Sequence, residues 1–343
     1  MFDNIKNMLI KGSQMVKEFV RQNSCKYNIE KKNESGEEIN DKTIFYMPGM
    51  PTALASIPML EALEKEGVSI DHIAGHSFGS VIAGLYGAGL TPEQIKEALH
   101  DRASIISDCF SSAMSGQNAT KDFDMVRQNV EEIIYSYTGI ENMTLAKAKE
   151  HSGKTLLIHA TRINDDSTKS GMTMSAQNFP NLSVAEACQA SSTLAPYRPY
   201  NLEYEGNNYT LQEGCYSATS IPIEEYKRSF LGTFKFLPIH LFRKPQIQAL
   251  IDNSTDVLAP GIPYNEASLK VKPETVDKLY RRGKKYIERR IEEGTITLDS
   301  SDDRESKEQD GRSLREELSY EVPALDISTI IDENPQIDKG VEK

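Results

Sequence analysis

Short apolar runs alternate along this chain with longer stretches in which apolar residues recur every three or four positions. That alternation predicts strands interleaved with helices. Thr43–Met47 (Thr-Ile-Phe-Tyr-Met) and Lys154–Thr161 (Lys-Thr-Leu-Leu-Ile-His-Ala-Thr) read as buried strands. Leu54–Glu66 has helical periodicity and ends at Gly67, a residue suited to a C-cap. Asp71–Ala74 is a further short strand, followed by a small-residue helical pattern that runs to Gly87. Thr91-Pro92-Glu93-Gln94 carries an N-cap, a proline at the first helical position and a glutamine that closes a capping box. Helical patterns return at Asp122–Tyr137 and Val184–Ala190, and Leu202–Leu211 reads as a hairpin around Gly206-Asn207. Asn164–Ser170 reads as a polar loop. A long amphipathic helix follows Pro273, with Val276, Leu279, Tyr280, Tyr286, Ile287 and Ile291 on its apolar side. Together these elements predict an α/β fold whose mostly parallel sheet is covered by helices on both faces.

The two ends are of a different kind. Met1–Gln22 sets Phe2, Ile5, Met8, Leu9, Val16, Phe19 and Val20 on one helical face beside a weakly basic remainder. A helix packed on the domain is the simpler reading, and an interfacial membrane helix is the alternative. Asn23–Asp41 is polar and aperiodic and reads as a linker. Ser300–Lys343 has few apolar residues and many acids and reads as disordered, with a short helix at Ser313–Leu318. The chain therefore divides into residues 1–42, 43–293 and 294–343.

Charge sharpens that division. The net charge of the 343 residues is −12, and residues 299–343, with 14 acidic and 6 basic residues, account for −8 of it. That balance argues against nucleic acid as a main partner. The basic face of the helix after Pro273 (Arg281, Arg282, Lys284, Lys285, Arg289, Arg290) reads as a solvated surface, with an anionic membrane as the alternative. Cys25, Cys109, Cys188 and Cys215 are scattered without metal-ligand spacing, which predicts free thiols in a reducing compartment and no metal or cofactor site. No run approaches the ~18 apolar residues of a membrane span. Met1–Gln22 also lacks the compact apolar stretch of a signal peptide, so the chain reads as soluble.

The chemistry concentrates at Gly75-His76-Ser77-Phe78-Gly79. This Gly-x-Ser-x-Gly lies between a predicted strand and a predicted helix, the context in which it forms a nucleophile elbow. Such a turn strains and exposes the serine, the glycines let the backbones pass, and the helix N-terminus faces a nascent oxyanion. A Ser-His-Asp triad would need a later histidine. His100, His151, His159 and His240 are the candidates; His159 lies in a strand pattern and reads as structural, and His240 has no evident acid partner.

Four blocks carry a family resemblance. Leu60–Val68, Ile73–Ser80 with Gly84–Glu93, Val184–Ser191, and Tyr209–Pro222 occur in the order found in patatin-like phospholipases, which they resemble over roughly half the chain. The resemblance implies a three-layer α/β/α fold and a serine–carboxylate dyad in place of a triad. Ser77 takes the nucleophile's place. Glu213-Gly214 falls where the family has Asp-Gly, so Glu213 takes the place of the base. The family's glycine-rich oxyanion loop falls on Pro48-Gly49-Met50-Pro51-Thr52-Ala53, where only Gly49 matches and Thr52 replaces the basic residue. Donors are then expected at Gly49, Met50 and Thr52, since Pro48 and Pro51 have no N–H, with Gly75, Phe78 and Gly79 completing the elbow.

Three functions follow. The first is a lipid acyl hydrolase of the phospholipase A or lysophospholipase type, working on a phospholipid or other lipid ester at a membrane surface. The second is a catalytically degenerate module on the same fold that binds lipid or protein. The third is an acyltransferase on the same elbow, since Gly-His-Ser-x-Gly also marks acyl-carrier-protein transacylases. The expected location is cytoplasmic or peripheral to a membrane, with delivery to another cell as an alternative. The sequence leaves open whether a protein activator is required.

Overall fold

A computed structural model of the chain describes residues 40–49, 51–103, 119–193, 199–217, 226–232, 254, 256–260 and 271–296. The expected N-terminal helix, the acidic tail, Met50, Cys25, Cys109 and His240 lie outside these residues.

The strands are β1 (Asn40–Met47), β2 (His72–Gly75), β3 (Thr155–Ile163), β4 (Lys169–Met174), β5 (Tyr200–Tyr204), β6 (Asn207–Gln212), β7 (Tyr226–Gly232) and β8 (Asp256–Leu258). The helices are α1 (Ile57–Lys65), α2 (Phe78–Gly87), α3 (Pro92–Asp101), α4 (Ala119–Thr138), α5 (Leu145–Ser152), α6 (Val184–Ser192) and α7 (Pro273–Glu292), with a 3₁₀ helix at Pro51–Ser56 ahead of α1. Hydrogen-bonded neighbours run β5–β6–β3–β2–β1–β7–β8, and β4 also pairs with β3. The pairs β1/β2, β1/β7, β2/β3 and β7/β8 are parallel, and β3/β4, β3/β6 and β5/β6 are antiparallel. The expected α/β class and mostly parallel core are thus present.

Successive residues of a strand point to opposite faces. Ile44, Phe45, Tyr46 and Met47 are all fully buried, so both faces of β1 are covered. The same holds for Ile73 and Ala74 of β2, which explains why these strands read as unbroken apolar runs.

Several elements differ from expectation in extent. β1 begins at Asn40, inside the segment read as linker, because Asn40 pairs with Tyr226 of β7. The first three residues of the helix expected from Leu54 belong to the tighter 3₁₀ turn, and α1 proper starts at Ile57 with Pro58 in its first turn. The hairpin turns at Glu205-Gly206, both with positive φ (49° and 78°), one position earlier than expected. Ser170, read as loop, lies in β4 against Arg162.

α7 lies against α1, α3 and the 3₁₀ helix. Its expected apolar side is the packed one: Val276, Leu279 and Ile287 are buried, with Tyr280, Tyr286 and Ile291 against the core. Its outer face carries its own counter-charges. Lys284 lies 3.9 Å from Glu288, Arg289 lies 3.8 Å from Glu293, and Arg290 is bonded to Tyr286 and Thr295. This fits a solvated face. Among the described residues, no helix is long and apolar enough to cross a membrane.

Candidate active site

The site exists because two segments meet head-on at β3. β2 runs parallel to β3 and pairs with Thr155–Ile158. β6 runs antiparallel and pairs with Thr161–Ile163. β4 pairs with Ile158–Ile163 and so occupies the other edge of β3, which leaves β2 and β6 on the same edge. The residues after β2 (His76, Ser77) and those after β6 (Glu213, Gly214) therefore converge opposite His159. The contact is close: a Cβ on Gly214 would sit 2.2 Å from the His159 carbonyl oxygen and 2.7 Å from His76 Cβ. Only glycine allows this passage.

Ser77 forms the corner between β2 and α2. Its φ of 52° and ψ of −133° lie outside the regions comfortable for a side-chain-bearing residue, a strain of about 1–3 kcal/mol. The corner is pinned from several directions. The Ser77 carbonyl accepts from the Ser80 N–H at 2.9 Å and from the Ser80 hydroxyl at 2.5 Å. The Ser77 N–H donates to Ser191 Oγ of α6 at 3.0 Å. Gly75 and Gly79 pass with almost no clearance, since a Cβ on Gly75 would lie 2.4 Å from the Gly79 oxygen. A Cβ on Gly79 would lie 2.3 Å from the Met47 oxygen, so the corner is wedged against the end of β1. The first turn of α2, with Phe78 and Gly79, brings its N–H groups and positive dipole end beside Ser77.

Gly49 closes over the serine. A Cβ there would stand 2.6 Å from Ser77 Cβ and 3.1 Å from Ser77 Oγ, so any larger residue would crowd the hydroxyl. The Gly49 N–H, read from sequence as an oxyanion donor, is directed instead at His76 Nε2, 3.1 Å away. That nitrogen accepts and so carries no proton; the ring proton sits on Nδ1, bonded to the Tyr46 hydroxyl. His76 thus holds the loop after β1. Sequence reasoning passed over this role because His76 is the variable position of the motif.

Glu213 is 1% exposed, so its side chain is enclosed by the protein. Its N–H donates to the Thr193 carbonyl at 2.7 Å, its carbonyl accepts from the Thr161 hydroxyl at 2.9 Å, and its Oε1 accepts from the Cys215 N–H at 3.3 Å. Ser77 is 6% exposed, so both groups sit out of bulk water.

The other histidines are occupied elsewhere. His159 is fully buried; its Nε2–H donates to the Ser217 carbonyl at 2.7 Å, leaving Nδ1 to accept from the Thr173 hydroxyl at 3.1 Å. Burial depresses its pKa to about 4, against a smaller opposing effect of the Ser217 bond. His100 faces Asp101 and Asp277 on the surface, and His151 is exposed. Cys188 and Cys215 are free and buried, and burial pushes the Cys188 thiol up to about 12, so it stays protonated. Among the described residues, no group of three or more His, Cys, Asp or Glu side chains is arranged to hold a metal ion.

The family model described as patatin-like phospholipase matches residues 49–225, just over half of the chain, and this span contains Gly49, Ser77 and Glu213. The chain belongs to the patatin-like phospholipase family. Among solved structures it is similar to the type III effector protein ExoU, at 13% identity and a TM-score of 0.42 over 74% of this chain and 53% of that one. It is also similar to full-length ExoU in complex with SpcU, from the type III secretion system of Pseudomonas aeruginosa, at 15% identity and a TM-score of 0.40, covering 73% and 52%. VipD from Legionella pneumophila matches at 10% identity and a TM-score of 0.38, covering 73% and 67%. The chain spans about half the length of the ExoU chains. No curated protein matches it.

Proposed function

We propose that this patatin-like chain is a lipid acyl hydrolase of phospholipase A or lysophospholipase type, with Ser77 as nucleophile and Glu213 as base. The observation that carries the reading is the convergence at His159 of a strained serine corner and a buried carboxylate turn, two segments far apart in sequence. In this reading Glu213 takes the Ser77 proton as Oγ attacks the ester carbonyl. The first-turn N–H groups of Phe78 and Gly79 face the oxyanion of the tetrahedral intermediate. Glu213 then returns the proton to the leaving alcohol, and water releases the acid from the acyl-serine by the reverse sequence. The substrate class places the work at a membrane surface, with residues 43–293 as the catalytic domain.

The test is fatty-acid release from phosphatidylcholine–phosphatidylglycerol vesicles by wild type, Ser77→Ala and Glu213→Gln. The reading expects release by wild type and a loss of at least ~10²-fold in both variants. Release that survives Ser77→Ala overturns it. One observation favours a second reading, a lipid-binding module without turnover: the Gly49 N–H is bonded to His76 rather than open to an oxyanion. Folded wild type that sediments with vesicles and releases no acid would select that alternative.

A further inference from the structure

Glutamate is a methylene longer than the family's aspartate, so the backbone that carries it must be held at a different height from Ser77. The C-terminal turn of α6 touches both partners. Ser191 Oγ accepts the Ser77 N–H at 3.0 Å, and its own O–H donates to the His159 carbonyl at 2.6 Å. Two residues on, the Thr193 carbonyl accepts the Glu213 N–H at 2.7 Å. The His159 carbonyl is also the atom on which Gly214 closes. One turn of helix thus grips the nucleophile's amide, the base's amide and the strand between them.

We infer that Ser191 is a positioning residue for the Ser77–Glu213 pair: its hydroxyl, bridging the Ser77 amide to β3, sets the height of the serine corner against the Glu213 turn. The inference rests on the dyad reading. Its physical content is that the Ser77 N–H lies at the start of α2, where it has no intrahelical acceptor. Without Ser191 that amide is unpaired and the corner can relax from φ of 52°. A displacement of ~1 Å between reacting groups costs ~10²-fold in rate.

Ser192 supplies an internal control. It is the next residue of the same helix and equally buried, and its hydroxyl has no hydrogen-bond partner among the described residues. The experiment compares wild type, Ser191→Ala, Ser191→Cys, Ser192→Ala and Ser77→Ala on phosphatidylcholine–phosphatidylglycerol vesicles, with thermal unfolding of each. Ser191→Ala should lower kcat by ~10–100-fold at nearly unchanged KM, and Ser192→Ala should stay within about twofold of wild type. Ser191→Cys keeps the shape with a much weaker donor and acceptor, so it should fall with Ser191→Ala while remaining folded. Active wild type, inactive Ser77→Ala and a Ser191→Cys or Ser191→Ala kcat equal to that of Ser192→Ala would overturn the positioning role and leave the dyad standing. Inactive wild type would overturn both.

Discussion

A serine at φ of 52° is not where folding alone would put it, and its neighbours hold it there. Two predictions belong at this scale. Glu213→Asp keeps a carboxyl group but draws it about one bond length back from the serine corner, toward a backbone that Thr193 and Thr161 hold in place. It should therefore cost ~10²-fold in kcat, and Glu213→Gln at least as much; a Glu213→Asp variant as active as wild type would mean that the turn is soft. The second concerns His159. Its pKa of about 4 in the fold lies below the ordinary 6.5, so between those values the unfolded chain binds the extra proton. Stability from this residue is present above pH ~6.5 and is lost as pH falls toward ~4, by on the order of 3 kcal/mol in all. Thermal unfolding followed from pH 7.5 down to 4.5 should show this decline, and His159→Gln, which retains a donor for Ser217 without titrating, should flatten it. An unchanged slope would assign the acid sensitivity to other groups.

At the scale of elements, the legible parts of the sequence were those whose local chemistry and tertiary role agree. Thr91 and Gln94 form the expected reciprocal cap of α3, at 2.9 and 3.2 Å, and the elbow and the apolar side of α7 fall where periodicity puts them. What was missed is held by partners rather than by pattern. β4 (Lys-Ser-Gly-Met-Thr-Met) has no apolar alternation of its own and is a strand because β3 pairs with it. α5 is short and polar, yet Thr144 caps it through the Lys147 N–H and Gly153 ends it at φ of 73°, signals that were present to be read. Gly283 makes the packing of α7 testable. A Cβ there would lie 1.9 Å from the Ala55 oxygen, in the 3₁₀ turn that follows the Gly49 loop. Alanine is the better helix former by roughly 1 kcal/mol, but overpacking typically costs about 1–3 kcal/mol, and so close an approach to a backbone oxygen belongs at the upper end of that range. Gly283→Ala should therefore lower the unfolding temperature, and a rise would show that α7 shifts without cost.

Across the whole molecule, the strained serine corner was readable because an elbow is a local motif, whereas the setting of Glu213 was not. Its burial and its approach to the serine corner depend on β4 taking one edge of β3, so that β6 must come in beside the end of β2. No spacing between Ser77 and Glu213 encodes that arrangement. The Pro48–Thr52 loop shows the same limit from the other side. Its departures were visible in the sequence, but the bond from Gly49 to His76 required the fold. Activation of a single serine is what the proposed chemistry requires of this fold. The most direct measurement is the mass and site of the adduct formed by an alkyl fluorophosphonate on the full-length chain. A single phosphonyl group is expected on the peptide containing Ser77, absent from Ser77→Ala and formed more slowly in Glu213→Gln and Ser191→Ala. Labelling at another serine, or a Ser77 that stays unmodified while wild type hydrolyses lipid, would contradict it.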